Sequence, residues 1–205
     1  EVAQSTDIER LATDRPKTIY AIDVDTKKTR RIAQIPAGAI NSINADGTLL
    51  LGSVAYGAKP LQPRTEDDRK PFGQAEYAAL GPDGKPLSFA KAKGVRMTER
   101  FETDVPAEIF TIDLKTGART VIHKSVRWLG HAQFSPTDPA LVMFCHEGPW
   151  HRVDRIWTIR TDGTGLTKIH TRTMNFEIAG HEFFSADGKW IWYDLQTPRG
   201  QVFWI

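Results

Sequence analysis

An all-β fold of repeated antiparallel sheets is predicted by two frames that recur along this sequence of 205 residues. The first frame is an apolar strand, a polar turn and a returning apolar residue, and it occurs at Thr18–Ile32, Glu108–Ile122 and Arg155–Ile169. The second frame is a hairpin turn flanked by apolar residues, and it begins at Ile43, Phe134 and Phe184. From the second occurrence to the third, the spacing is 47 residues in the first frame and 50 residues in the second. Such a period of strand patterns is typical of β-propeller blades.

The strands follow one another in chain order. Residues 1–17 are polar and are interpreted as a connector. Apolar residues alternate over Tyr20–Val24, which indicates a half-buried strand, and Asp25–Arg30 forms its turn. An inner strand is predicted over Ala39–Asn44, and the Asp46-Gly47 turn leads into the next one, because Asp-Gly between apolar runs favours a hairpin. Further strands are predicted at Leu49–Val54, Glu108–Leu114, Thr120–His123, Leu129–Ser135, Ala140–His146, Arg155–Thr161, Leu166–Thr171, Ala179–Ser185 and Trp190–Leu195.

Residues 57–107 interrupt this pattern with a charged, proline-rich stretch. Loops of this length are uncommon in compact domains and are often functional. We therefore expect residues 1–205 to form one partial β-propeller of about three blades, part of a longer chain, with 57–107 inserted between two strands. Because the insertion joins a second strand to a third, it should emerge on the face where the first strands begin.

Composition narrows the classes of function. There are 27 basic and 25 acidic residues, giving a net charge of +2, and this balance argues against a nucleic-acid-binding protein, which concentrates basic charge on one face. A local basic patch for an anionic small substrate remains possible. The one cysteine, Cys145, rules out a disulfide framework. No segment has the length and apolar character of a membrane span.

Three histidines stand at strand ends. His131 and His181 each follow a glycine where a first strand begins, and His146 ends a second strand in Cys145–Pro149. In an up-and-down blade these ends meet on one face, so we expect all three near the mouth of the channel. His146 is a candidate general base near neutral pH. His131 and His181 are candidate ligands of a divalent cation, although inter-blade hydrogen bonding explains them equally well.

Charged and aromatic residues flank these histidines. Arg127, Arg152 and Arg155 could bind carboxylates, because the planar guanidinium group makes bidentate contacts. The simpler interpretation is that they belong to a solvent-exposed charged face. Most tryptophans are expected in the core, while Trp128 or Trp150 could stack on a sugar ring. The sequence contains no Gly-x-Ser-x-Gly elbow, phosphate-binding glycine loop or Cys-x-x-Cys pair.

These motifs together resemble the oligogalacturonate lyase family (polysaccharide lyase family 22). The resemblance covers about residues 105–195. It is carried by Thr111–Leu114, Val121–His123, Trp128–His131, Phe144–Pro149, Val153–Trp157 and Gly180–Phe183. Cys-His-Glu-Gly-Pro followed later by His-Glu-Phe is much more specific than the general propeller pattern.

The resemblance implies a seven-bladed propeller that cleaves short oligogalacturonates, such as digalacturonate, by β-elimination to 4,5-unsaturated uronates. It implies a divalent metal, typically manganese (Mn2+), with His181 as one ligand and the others in a later segment. It also implies His146 as the catalytic base and an assisting arginine, for which Arg127 is the candidate. His131 and Arg155 are predicted to bind the substrate. A cytoplasmic location is expected, or a periplasmic one if a signal peptide has been lost. No nucleic-acid, membrane or obligate protein partner is expected. Oligomers would be preferred over polymer if the insertion narrows the mouth.

Two other functions are consistent with the pattern. A TolB-like propeller could serve as a non-catalytic binding or scaffold module, and it would need no set of metal ligands on one face. A propeller glycoside hydrolase would need paired carboxylates across the channel, for which Glu147 and Glu182 are the candidates.

Overall fold

The computed structural model describes residues 16–57 and 79–205, and these residues form four antiparallel sheets. The first sheet contains β1 (Lys17–Ile22) and β2 (Thr29–Ile35), and the second contains β3 (Ala39–Ile43), β4 (Leu49–Ala55), β5 (Ala107–Asp113) and β6 (Arg119–Ser125). The third contains β7 (Leu129–Phe134), β8 (Leu141–His146), β9 (Ile156–Arg160) and β10 (Thr167–Lys168), and the fourth contains β11 (Ile178–Phe184), β12 (Ile191–Gln196) and β13 (Val202–Trp204). Strands that are neighbours in sequence are neighbours in each sheet, so every sheet is a meander.

The sheets pack face to face around three apolar clusters. The cluster between the second and third sheets includes Leu51, Ile109, Phe134 and Phe144, all buried. Similar clusters join the first sheet to the second and the third to the fourth. Both faces of β8 are therefore covered, which explains its continuous apolar run Leu141–Cys145. Stacked meanders of this kind are propeller blades, which confirms the predicted fold class.

The described part of the connection between β4 and β5 contains helix α1 (Phe89–Glu102). β4 pairs directly with β5 from Leu49↔Asp113 to Ala55↔Ala107, so the intervening chain leaves the blade at one end and returns to it there. Residues 1–15 and 58–78, which include most of the predicted connector and part of the predicted insertion, lie outside the described residues. The division into one partial domain with an insertion at 57–107 stays a prediction. Within the described ranges, no helix is both long enough and apolar enough to cross a membrane.

The end of α1 is fixed to the blades by Phe101 and the residues after it. A Cβ atom on Gly148 would come within 2.6 Å of the Phe101 ring, so only glycine allows this close approach. The Arg127 guanidinium donates to the Phe101 carbonyl at 2.9 Å and pairs with Asp104 at 2.9 Å. Arg152 pairs with Glu102 at 3.1 Å. These contacts hold the helix against the ends of the third sheet, where the functional site lies.

Candidate functional site

A cavity of about 320 Å³ opens between α1 and the ends of the third and fourth sheets. This size falls in the range of pockets that hold small ligands. The first residues of β7 and β11, the loop after β8 and the end of β12 supply most of its wall. His131, Arg155 and His181, three of the five residues predicted from sequence, line it together.

Both pocket histidines lie where the first strand of a sheet pairs irregularly with the second strand. The pairing register shifts between Gly130 and Gln133 in β7, and between Gly180 and Phe183 in β11. His131 and His181 both adopt φ of 51°, in the left-handed region. Residues other than glycine rarely take this conformation, because it costs a conformational energy of order 1–3 kcal/mol. The same local bend therefore presents both imidazoles to the pocket, as their equivalent places in the repeat predict.

A buried charged cluster lies behind His131. Arg155 donates to Glu147 at 2.8 Å, and its other terminal nitrogen lies 3.6 Å from Glu182. The side chains of all three are at most 6% exposed. Although burial acts to lower it, the two carboxylates hold the pKa of Arg155 above its ordinary value. With two carboxylates and one guanidinium, the three side chains carry a net negative charge next to the pocket.

His131 contacts both carboxylates of this cluster. Its Nε2 lies 3.2 Å from Glu147, and its Nδ1 lies 3.4 Å from Glu182. The ring nevertheless remains 58% exposed toward the pocket. Gly130 makes room for this arrangement, because a Cβ atom there would lie 2.9 Å from the side chain of Glu147. A positive charge formed on the imidazole would therefore meet a negative environment that is already in place.

His181 has the surroundings of a metal-binding histidine. Its Nδ1 lies 3.1 Å from the Asp194 carboxylate, and its side chain is 77% exposed. A carboxylate on one ring nitrogen is the usual partner that orients a ligating imidazole, and it leaves Nε2 for the ion. Gln196 donates to the same carboxylate at 3.0 Å and also lines the pocket. His181 therefore fits one position in a metal's coordination shell.

Other ligands are needed to complete such a shell. Within residues 16–57 and 79–205, no group of three or more His, Cys, Asp or Glu side chains is arranged to hold a metal ion. The resemblance to the lyase family implies further ligands in a later segment, and this stays a prediction.

His146 lies at the same end of the third sheet but on the other side of it. Its backbone pairs with Leu129, two residues before His131. Its ring, however, packs among the rings of His123, Phe144 and Trp157, with centroids 5.4 to 6.2 Å away, and it is not among the pocket-lining residues. Burial, helped by the nearby His123, lowers the pKa of His146 to about 4. The His146 ring is therefore neutral at pH 7. Its role as the catalytic base stays a prediction.

The lowered pKa of His146 predicts that acid destabilises the blades. In the unfolded chain the ring takes up a proton near its ordinary pKa of 6.5, while in the folded chain it does so only near 4. Stability should therefore fall as the pH drops from 6.5 to about 4, by about 2 kcal/mol after a discount for partial exposure. Urea unfolding across this range, compared between the wild type and His146→Phe, measures the effect. Parallel curves for the two proteins would contradict it.

Arg127 is also absent from the pocket wall in the described residues. Its guanidinium is occupied by the Phe101 carbonyl and by Asp104 at the end of α1, and it lies 5.4 Å from the Phe101 ring centroid. Its position suits a residue that anchors the helix. Arg155 does line the pocket, but its guanidinium is taken by Glu147 and Glu182. The predicted roles of Arg127 in catalysis and of Arg155 in substrate binding stay predictions that this geometry does not favour.

Several residues in the pocket wall or directly behind it were assigned a different role from sequence or were not recognised as candidates. Glu147 and Glu182 were considered only as the carboxylate pair of a hydrolase, yet both are buried against Arg155 instead of facing each other across an open channel. No recognisable sequence motif marks Lys93, Met97, Asp194 or Gln196. Their contribution depends on contacts between distant parts of the chain, and only the glycines before the two histidines signalled that a side chain approaches closely there.

The blades and the pocket define a β-propeller protein with histidines at the end of its inner strands. Comparison with known proteins gives the family: a profile described as oligogalacturonate lyase matches residues 82–197, and the chain belongs to that family. An oligogalacturonate lyase of Dickeya dadantii is 38% identical over 112 residues, which are 54% of this chain and 28% of that protein. An oligogalacturonide lyase of Pectobacterium atrosepticum is 37% identical over 52% of this chain and 26% of its own length.

Solved structures agree with this assignment. An oligogalacturonate lyase in complex with manganese matches 92% of this chain with a TM-score of 0.68 and 28% identity. A second one, from Vibrio parahaemolyticus, matches 90% of the chain with a TM-score of 0.65 and 27% identity. These matches cover 44% and 42% of the respective relatives, so the chain spans less than half of their length. The manganese in the first relative supports a divalent metal for the family.

Proposed function

We propose that the whole protein cleaves short oligogalacturonates by β-elimination, at the pocket that holds His131 and His181. Family membership supports the substrate class, since the relatives are named oligogalacturonate lyases. The observation that carries the proposal is the position of His131, which is exposed to the pocket and backed by two buried carboxylates. A base that becomes positively charged during the reaction needs such an environment.

β-Elimination begins with loss of the proton at C5 of a uronate unit. In our proposal the His131 ring keeps one nitrogen on a carboxylate and turns the other toward the substrate, where it accepts this proton. The electron pair of the C–H bond forms the C4=C5 double bond. The bond from C4 to the glycosidic oxygen breaks, and that oxygen leaves and takes up a proton from solvent. Glu147 and Glu182 stabilise the imidazolium that forms, as a buried carboxylate does beside a catalytic histidine.

The C5 proton is too weakly acidic to leave unless charge is withdrawn from the neighbouring carboxylate. A divalent cation held in part by His181 would supply a Lewis acid for that carboxylate. Asp194 fixes the tautomer and orientation of His181 through Nδ1. Trp128 and Trp150 line the same pocket. A cationic side chain of α1 lies over one face of each ring, so the sugar would contact the opposite face or the edge.

The test is the ultraviolet absorbance of unsaturated product when the whole protein is given digalacturonate. We expect a rise that a chelator abolishes and added manganese restores. No rise with any divalent metal, from a protein shown by circular dichroism to be folded, would overturn the proposal and favour a binding propeller.

A further inference from the structure

Asp194 orients a second pocket side chain besides His181. Its Oδ1 lies 3.1 Å from the Nδ1 of His181, and its Oδ2 accepts a hydrogen bond from the Nε2 of Gln196 at 3.0 Å. The Asp194 side chain is buried, and Gly180 leaves room for it, because a Cβ atom there would lie 3.2 Å from Oδ1. One buried carboxylate therefore holds both His181 and Gln196 at the pocket wall.

The pairing of strands sets the place of Gln196 in the pocket wall. In the register of β11 and β12, Asp194 pairs with Gly180 and Gln196 pairs with Ile178. Residues two apart in a strand point to the same face, so the side chains of Asp194 and Gln196 are neighbours. Gln196 also pairs with Val202 of β13 on its other side. Its side chain is therefore presented from the middle strand of a sheet and not from a loop.

The orientation of the Gln196 amide follows from this partner. A carboxylate only accepts hydrogen bonds, so the amide nitrogen must face Asp194 and the amide oxygen, Oε1, is turned away from it. Among residues 16–57 and 79–205, no hydrogen-bond donor contacts this oxygen. Because Gln196 is half-buried and lines the cavity, its oxygen is available to a bound ligand.

A hydroxyl group is the partner that suits this oxygen. In the described part of the wall, the other side chains with acceptor atoms are His131, His181 and Glu147. The two imidazoles serve proton transfer and the metal in the proposed function, and Glu147 accepts from Arg155 at 2.8 Å. A carboxylate has no donor for an amide oxygen, whereas every uronate ring carries hydroxyl groups that donate. The Gln196 oxygen therefore suits the hydroxyl edge of a sugar and not its charged group.

We propose that Gln196 accepts a hydrogen bond from one ring hydroxyl, O2 or O3, of the uronate unit that is cleaved, and so selects sugars that carry this hydroxyl. The inference rests on the proposed function, in which the carboxylate of that unit is bound on the His181 side. Asp194 then orients both the residue at the carboxylate end and the residue at the hydroxyl edge. A site built to bond a hydroxyl rejects an analogue without it, because the acceptor loses its partner.

The test gives the whole protein, with manganese, three substrates: digalacturonate and its analogues that lack O2 or O3 on the cleaved unit. Gln196→Met keeps the volume of the side chain but removes its oxygen. Gln201→Met is the matched control, because Gln201 is exposed just before β13. The penalty of an analogue is the factor by which its kcat/KM falls below that of digalacturonate. We expect Gln196→Met to reduce the penalty of one analogue roughly tenfold, and Gln201→Met to leave both penalties unchanged.

The comparison between proteins cancels any difference in intrinsic reactivity among the three substrates. If Gln196 only supported Asp194, Gln196→Met would slow all three by the same factor, which would overturn the inference and leave the proposed function standing. Wild-type protein that cleaves both analogues as fast as digalacturonate would also overturn it, without reference to any variant. If the wild type cleaves none of the three, the proposed function fails, and Kd values from calorimetry apply the same comparison to Gln196. Equal penalties in Kd for the two proteins, or no binding, would then overturn the role of Gln196 as well.

Discussion

Replacing His131 with asparagine is expected to reduce kcat on digalacturonate by roughly 10²- to 10⁴-fold, the usual contribution of a general base. The fold should survive this change. His131 has φ of 51°, and asparagine tolerates the left-handed region better than most residues. The melting temperature of His131→Asn should therefore stay near that of the wild type, which separates loss of chemistry from loss of structure. Steady-state absorbance assays and thermal unfolding on the same preparations measure both.

Two other histidines complete this experiment. His151→Asn is the matched control, because His151 lies outside the pocket wall and stacks on Phe176 with ring centroids 5.1 Å apart; its activity should stay within about twofold of the wild type. His146→Asn tests the base predicted from the sequence. Full activity in His131→Asn together with a large loss in a folded His146→Asn would assign the proton transfer to His146 and contradict our proposal.

Replacing Arg155 with methionine is expected to have the largest effect on stability, a loss of about 3–5 kcal/mol. Methionine keeps much of the volume but removes the guanidinium that lies between Glu147 and Glu182. Two carboxylates would then remain buried without their cation, and an uncompensated buried charge is far more costly than a missing surface ion pair. The free energy of unfolding in urea at neutral pH measures the loss.

A surface ion pair supplies the control for this effect. Arg160 pairs with Asp138 at 3.2 Å, and both side chains are at least 40% exposed. Arg160→Met should change the free energy of unfolding by no more than about 1 kcal/mol. Adding Glu147→Gln and Glu182→Gln to Arg155→Met should recover part of the loss, because both buried charges are then gone. Equal stability of Arg155→Met and the wild type would show that the cluster is not held by its charges.

Much of the fold could be predicted because short stretches of sequence determine the strands and turns of each blade. Alternating apolar residues and Asp-Gly turns fix strands and hairpins over short stretches, and the observed strands follow the predicted ones closely. The equivalence of His131 and His181 could be predicted as well, since both follow a glycine at the same place in the repeat. In the structure they share one backbone conformation and one pocket.

The rest of the candidate site could not be predicted, because it depends on which face of each strand is turned toward the pocket. His146 follows Cys145, and successive side chains of a strand point to opposite faces. Cys145 lies on the side of Glu182, and burial, with that carboxylate, raises the pKa of its thiol; His146 must then lie on the other side. The pattern of one strand does not say which face meets the pocket. Likewise, Lys93 lines the pocket from a helix in the insertion. No repeating pattern in the sequence indicates this long-range contact.

One measurement tests the central claim most directly: the masses of the products that the whole protein forms from digalacturonate in the presence of manganese. Elimination yields galacturonate and an unsaturated uronate whose masses sum to that of the substrate. Hydrolysis would yield products heavier in total by one water. We predict the first result, and we predict that it disappears in His131→Asn. Products that contain the added water, or intact substrate with a folded and metal-loaded protein, would contradict the assignment of a lyase.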